Sequence, residues 1–466
     1  MNIQFFGAAR TVTGSKHLIT TNNNVSFLLD CGFFQGKGQE SDLMNRNFGF
    51  EPSSLSFMIL SHAHIDHSGN IPNLVKKGFK GKIYATSATF DLCKIMLKDS
   101  AHIQENDLKH VNKRRFKRGE EPLEPLYDLM DVEDALKLFE TIPYNHNFKI
   151  NDEVKVMFTD SGHILGSGAV NLEIKDGDKI KKVCFTGDIG RYNSAILKDP
   201  QVFPQCDVLI SESTYGNRLH SDNNMSQQEL LDVIYNTCVM KKGKLIIPAF
   251  SLGRTQEIVY ALDKLETAHK LPRIQVFVDS PLSINATDVM RNHPECFNED
   301  MVNYMKTDSD PFGFEKLIYV QDVVISKKLN SIKEPCIIIS ASGMIEAGRI
   351  KHHVANNISN PNNTILIVGY AEPFSLGGKI RNGEKVVKIF GEDYEVLADV
   401  VVLDSYSAHA DYKEMIQYFK CLDKTKVEKV FLVHGEYETQ LSFKEKLLDV
   451  GFRNITIPAL KESFEL

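Results

Sequence analysis

The chain has 466 residues, 42% hydrophobic and 25% charged, a balance that excludes a disordered, collagen-like or coiled-coil protein and leaves room for two or three compact units. Lys and Arg number 54 against 61 Asp and Glu, a formal charge of −7, which excludes a polyanion binder working by bulk charge; such a partner would need a local positive groove or metal ions. Eight cysteines without a CxxC pair read as buried reduced thiols, and with no signal-peptide pattern and no run near the ~20 apolar residues of a membrane span, a cytoplasmic protein without a membrane partner is expected.

In chain order, short β-branched runs recur and many end on an unusual polar residue. FLLDCG ends on Asp30, and FMILS leads into SHAHIDHSGN, which carries His62, His64, Asp66 and His67. A basic run follows, Lys109, Lys113, Arg114, Arg115, Lys117 and Arg118, and then Glu120, Glu121 and Glu124; it reads either as a solvated helix end or as a patch that contacts RNA. GHILGSG supplies His163 after Asp160 and Ser161, KVCFTG runs into Asp188, and DVLISE reaches Glu212. Ser226 to Glu229 forms a capping box ahead of the helical spacing of Leu230, Leu231, Ile234 and Cys238.

KLIIPAFS runs toward Arg254 and a second helix marked by Ile258, Val259, Leu262 and Leu265. QVFVDS ends at Asp279 and Ser280, CIIISASG at Ser340, Ser342 and Gly343, DVVVLDSYSAH at His409, and KVFLVHGE at His434. Met415, Ile416 and Phe419 mark a helix between the last two. Runs of four to six apolar residues closed by Gly, Ser or Asp predict strands buried on both faces, so the fold class is α/β throughout. Polar residues at strand carboxyl ends are where open α/β folds place ligands.

Four potential ligands within six residues make SHAHIDHSGN the strongest signal. Alternate residues of an extended segment share a face, so His62 and His64 can point together, while Asp66 and His67 swing to a second position. Two ligand pairs in one loop suit two metals, and imidazole with carboxylate is the set zinc takes in catalysis. His163, Asp188 and His434 complete the set, with Asp188 placed to bridge. Asp30 suits an outer role, accepting a hydrogen bond from a ligand histidine and fixing its tautomer.

HAHIDH with a later His, Asp and His resembles the metallo-β-lactamase superfamily. ESTYGNR at Glu212, SAHADY at His409 and VHGE at His434, with PAFSLGRTQE, VDSPL and SASGM, resemble the motifs of its β-CASP nucleases, the group that includes RNase J and the pre-mRNA 3′-processing endonuclease subunit. The resemblance covers essentially the whole chain. It implies an αββα metallo-β-lactamase core at 1–206, returning at 400–466, with an inserted α/β β-CASP cap at 207–399 and an RNA channel in the cleft between them. It further implies His62, His64 and His163 on one zinc, Asp66, His67 and His434 on the other, Asp188 bridging, and His409 facing the scissile phosphate, oriented by Glu212. Mn²⁺ is the expected substitute for Zn²⁺. Pro373 and Phe374 stand where many relatives carry a small Gly-Thr segment, a departure within the cap. Appended RNA-loading domains are not indicated.

These residues predict a di-zinc ribonuclease acting on single-stranded RNA, most simply as an endonuclease, leaving 5′-phosphate and 3′-hydroxyl ends. Asp66 and Asp188 would orient the attacking water, and His409 would protonate the leaving oxygen. Arg254, Ser340, Ser342 and Arg349 are candidate phosphate contacts, against simple capping or solvation. The alternatives are a DNA nuclease of the same family and a small-molecule ester or lactone hydrolase. A homodimer is left open.

Overall fold

The computed structural model describes residues 1–36, 38–177, 179–220, 226–369, 371–372, 374–403 and 408–466, with the backbone alone at His110, Asp176 and Ser226. Pro373 and the Ser226 capping side chain therefore lie outside the described residues. Met1–Tyr192, Lys198–Leu219 and His409–Leu466 form one unit, and Asn193–Leu197 with His220–Ala408 form the other.

The first unit holds two seven-stranded sheets. One runs in the order Ser463–Glu465, Asn2–Phe5, His17–Thr20, Ser26–Leu29, Phe57–Ile59, Lys82–Ala85, Phe139–Thr141. The other runs Ile455–Thr456, Lys429–Leu432, Val208–Ser211, Lys179–Phe185, Gly168–Asp176, Val154–Asp160, Phe148–Lys149. Inward-facing Ile3, Phe5, Phe27 and Ile59 of the first sheet meet Phe158, Val170, Phe185, Ile210 and Phe431 of the second in one buried cluster. The alternate residues Cys184, Leu209, Val430 and Leu432 face away from it and are covered by Met415, Tyr418, Phe443 and Leu447 from the helices Tyr412–Tyr418 and Tyr437–Asp449. Strands that are apolar on both faces need cover on both, which is the sheet-on-sheet, helix-outside layering expected from the sequence.

The second unit is built on a six-stranded sheet, Leu317–Tyr319, Gln275–Val278, Cys336–Ser340, Leu245–Pro248, Thr364–Val368, Asp399–Leu403, parallel throughout. The boundaries differ from those expected at 206 and 400. VLIS at 208–211 pairs in parallel with both Lys179–Phe185 and Lys429–Leu432, so it belongs to the first unit. DVVVL at 399–403 pairs with Thr364–Val368 and belongs to the second. Each run goes where its backbone groups find a ladder, which motif spacing along the chain does not reveal. All eight cysteines are free thiols, seven of them buried, as expected.

Candidate metal centre

Every candidate ligand of the first unit sits just past the carboxyl end of a strand. His62 follows Phe57–Ile59, His163 follows Val154–Asp160, Asp188 follows Lys179–Phe185, and His434 follows Lys429–Leu432. The backbone turns sharply after His62: His64 precedes the single-turn helix Ile65–Ser68, and its carbonyl accepts from the amides of His67 and Ser68 at 2.9 and 2.8 Å. Asp66 and His67 are thereby swung away from His62 and His64. The DCG segment lies directly on this loop, Cys31 N donating to His67 O at 2.7 Å. A Cβ on Gly32 would sit 1.6 Å from the Asp66 carbonyl oxygen, so only glycine fits there.

Among the described residues, two groups contain all seven candidate ligands, and a third, overlapping one consists of Asp188, Glu212 and His434. Donor atoms of His62, His64, His163 and Asp188 lie within 4.8 Å of one another, as do those of Asp66, His67 and His434. Asp188 divides between the groups. Its Oδ2 faces His62 Nε2 at 3.4 Å and His163 Nε2 at 3.5 Å, while its Oδ1 faces His67 Nε2 at 3.3 Å and His434 Nδ1 at 3.5 Å. Asp66 Oδ2 faces His434 Nε2 at 3.3 Å. His62 Nε2, His67 Nε2 and Asp188 Oδ1 are buried without hydrogen-bond partners, which in a protein interior is costly unless a cation takes them. Burial holds His62, His64 and His163 below their ordinary pKa, His64 at about 3, so these imidazoles are neutral and offer a lone pair. The donor set, imidazole nitrogens with carboxylate oxygens, fits a transition metal such as zinc in each group.

Asp30 is fully buried and serves as the hub beneath the second group. It accepts from Ser61 N at 2.8 Å, from Ser61 Oγ at 2.9 Å, from Ser15 Oγ at 3.2 Å and from His67 Nδ1 at 2.6 Å. The last bond puts the His67 proton on Nδ1 and frees Nε2 for a ligand. Ser15, Ser61 and Thr214, whose Oγ1 lies 3.1 Å from His434 Nδ1, were not singled out in the sequence. Ser61 and Thr214 each lie inside a quoted motif, the sequence signal that could have marked them. His434 itself has φ 50° and donates its amide to Ala8 O at 2.7 Å, a left-handed conformation held by the neighbouring backbone.

Although its ring centroid lies 4.5 Å from that of His163, His409 belongs to none of these groups. Its Nδ1 is 3.2 Å from each oxygen of Glu212 and 4.0 Å from Asp188 Oδ2. Glu212 is itself buried and also accepts from Ile189 N at 2.5 Å. Burial opposes protonation of His409, but Glu212, with Asp188 and Asp66 behind it, outweighs that and lifts the imidazole to about 9.

The four candidate phosphate contacts lie in the second unit and separate into two kinds. Arg349 spends its guanidinium on Asp279 Oδ1 at 2.6 Å and on the carbonyls of Val320 and Gln321, and the buried Ser340 hydroxyl donates to the Asp279 carbonyl at 2.7 Å. Both groups are thus engaged within the second unit, Ser340 buried and Arg349 partly exposed. Arg254 is buried and ion-paired with Glu257 one turn along its helix. Ser342 is partly exposed, its Oγ 3.5 Å from the Ala347 carbonyl.

Comparison with known proteins agrees with this arrangement. Residues 14–234 match the family described as the metallo-beta-lactamase superfamily, 255–380 the beta-Casp domain, and 393–458 the Zn-dependent metallo-hydrolase RNA specificity domain. A ribonuclease of Thermus thermophilus is 32% identical over 97% of this chain and 95% of its own length. An RNase J-like protein of Methanocaldococcus jannaschii is 30% identical over 95% of this chain and 94% of its own. A transcription termination factor FttA of Methanosarcina mazei is 28% identical, covering 94% of this chain and 67% of the relative.

Proposed function

The chain belongs to the metallo-β-lactamase superfamily of metal-dependent hydrolases, among the members that carry a β-CASP domain, and on that premise we propose that it is a di-zinc ribonuclease. It hydrolyses phosphodiester bonds of single-stranded RNA endonucleolytically, leaving 5′-phosphate and 3′-hydroxyl ends. The observation that carries this reading is the division of Asp188, one oxygen toward each group of donors. His62, His64 and His163 hold one ion and Asp66, His67 and His434 the other, with Mn²⁺ able to replace Zn²⁺. When bound, such a pair of ions supplies Lewis acidity toward the phosphate oxygens and a water of lowered pKa.

The protein's own groups do the rest. Asp66 and Asp188 accept hydrogen bonds from the attacking water and fix its direction. His409, held by Glu212 through Nδ1, presents Nε2 to the leaving 3′-oxygen and gives it a proton. Glu212 favours the protonated form of this imidazole, the form a general acid needs.

Metal analysis and a substrate panel test the reading together. Purified protein should carry close to two transition-metal ions per chain, and should open circular single-stranded RNA as well as cut linear RNA. Fewer than one ion, faster turnover of DNA than RNA, or hydrolysis of lactones with none of RNA would each overturn it.

A further inference from the structure

The longest helix, Ser87–Lys117, has 31 residues and so runs for about 46 Å. Its start is fixed beside the metal centre. The hydroxyls of Thr86 and Thr89 donate to the Gly166 carbonyl at 2.6 and 2.8 Å, three residues beyond His163. Residues 109–117 therefore lie about 33–45 Å along the axis from that anchor, far from the chemistry.

This distal part is braced. Asn112 and Leu123 exchange hydrogen bonds of 2.9 and 2.8 Å, Arg115 Nε donates to Glu121 O at 2.7 Å, and its NH1 pairs with Glu120 at 3.0 Å. Gln104 accepts from Leu126 N, and Tyr127 donates to Ser100, so the returning chain is tied along one face of the helix. Lys109, Lys113 and Lys117, each four residues from the next, share the exposed face with Phe116, which is 85% exposed.

That face works against the helix that carries it. Like charges at i,i+4 repel, and an exposed phenyl ring gains nothing from water. Residues 109–124 hold six Lys or Arg against three Glu, in a chain of net charge −7. One of those three, Glu120, is already taken by Arg115. Ammonium groups one turn apart, about 6 Å, beside a free aromatic face, offer phosphate contacts and a stacking platform together. We propose that this helix tip is a second RNA-contact surface, remote from the metal centre. It holds single-stranded parts of long substrates, with phosphates on Lys109, Lys113 and Lys117 and a base on Phe116. The inference rests on the ribonuclease reading, and adds that RNA length governs affinity.

The test compares the parent protein with Lys109→Gln/Lys113→Gln/Lys117→Gln and, separately, Phe116→Ala. Affinity and cleavage are measured on unstructured RNA of about 30 nucleotides and on an oligonucleotide of about 5, too short to reach the tip. The triple variant should bind long RNA at least about 10-fold more weakly, with a salt slope smaller by about 2. Phe116→Ala should lose about 5-fold on long RNA through stacking alone. Short RNA should be cut at the parental rate by both. Unchanged affinity and salt slope on long RNA, or equal losses on long and short RNA, would overturn the proposal. So would a change of oligomeric state in light scattering with RNA affinity intact, which would mark the tip as a protein contact. A parent that binds long RNA through the tip yet cuts none would sink the ribonuclease reading and leave this surface standing.

Discussion

His409 and His434 both follow apolar strands near the end of the chain, and their surroundings separate them. His434 has both ring nitrogens within 3.5 Å of carboxylates of the donor groups, while His409 Nδ1 lies 3.2 Å from the carboxylate of Glu212. His409→Ala should therefore keep its metal content while the rate falls about 10²–10⁴-fold, the usual worth of a positioned general acid. His434→Ala should lose metal and activity together. RNA with sulfur in place of the scissile 3′-oxygen, a leaving group that needs little protonation, should rescue His409→Ala far more than His434→Ala. Metal loss in His409→Ala, or equal rescue, would reverse the two roles. The identity of these residues was legible in the motifs; the hydroxyls of Ser15, Ser61 and Thr214 that steady them were not, because serine and threonine carry no pattern until folding brings them to a histidine or an aspartate.

In the second unit, the helix Arg254–Thr267 buries Asp263 on the same face as its apolar residues. Tyr304 donates to Asp263 Oδ2 at 2.7 Å, while Oδ1 is buried without a partner. Burial, reinforced by Asp308, Glu266 and Asp310 and opposed only by the Tyr304 bond, raises this carboxyl to about 7 from an ordinary 3.8. The folded state thus binds a proton more tightly than the unfolded chain. Stability falls as the pH rises from about 4 to about 7, and stays lower above that. Asp263→Asn keeps an acceptor for Tyr304 and removes the titration, so it should stabilise the protein by about 1–2 kcal/mol at pH 8 and have little effect at pH 4. Denaturant melts of both proteins at the two pH values measure this; equal effects at both would show that the carboxyl is not the cause. Helical spacing of Ile258, Val259, Leu262 and Leu265 located this helix from the sequence, but which face a polar residue joins depends on what packs against it.

Across the whole molecule, the centre draws His62, His64, Asp66 and His67 from one sheet of the first unit, and His163, Asp188 and His434 from the other. Ions held by these groups would cross-link the sheets, and their removal would leave buried imidazoles and carboxylates facing one another. Chelation should lower the melting temperature by about 5–10 °C, since a ligand at a thousand times its Kd contributes about 4 kcal/mol. Zinc should restore it and magnesium should not, because this donor set is rich in nitrogen. An unchanged melting curve in chelator would show that the groups hold no structural ion. What the sequence determined by itself was the α/β class and the candidate ligands, because apolar periodicity and dense His/Asp motifs are local properties of the chain; the layered core was implied by the motif resemblance. Only the tertiary structure decided that Asp188 turns one oxygen to each group, that Arg349 and Ser340 both bond to Asp279, and that the strands at 208–211 and 399–403 belong to opposite units from those expected. Each of these is a pairing between residues distant in sequence, fixed by which buried donor meets which acceptor, and no spacing along the chain encodes it.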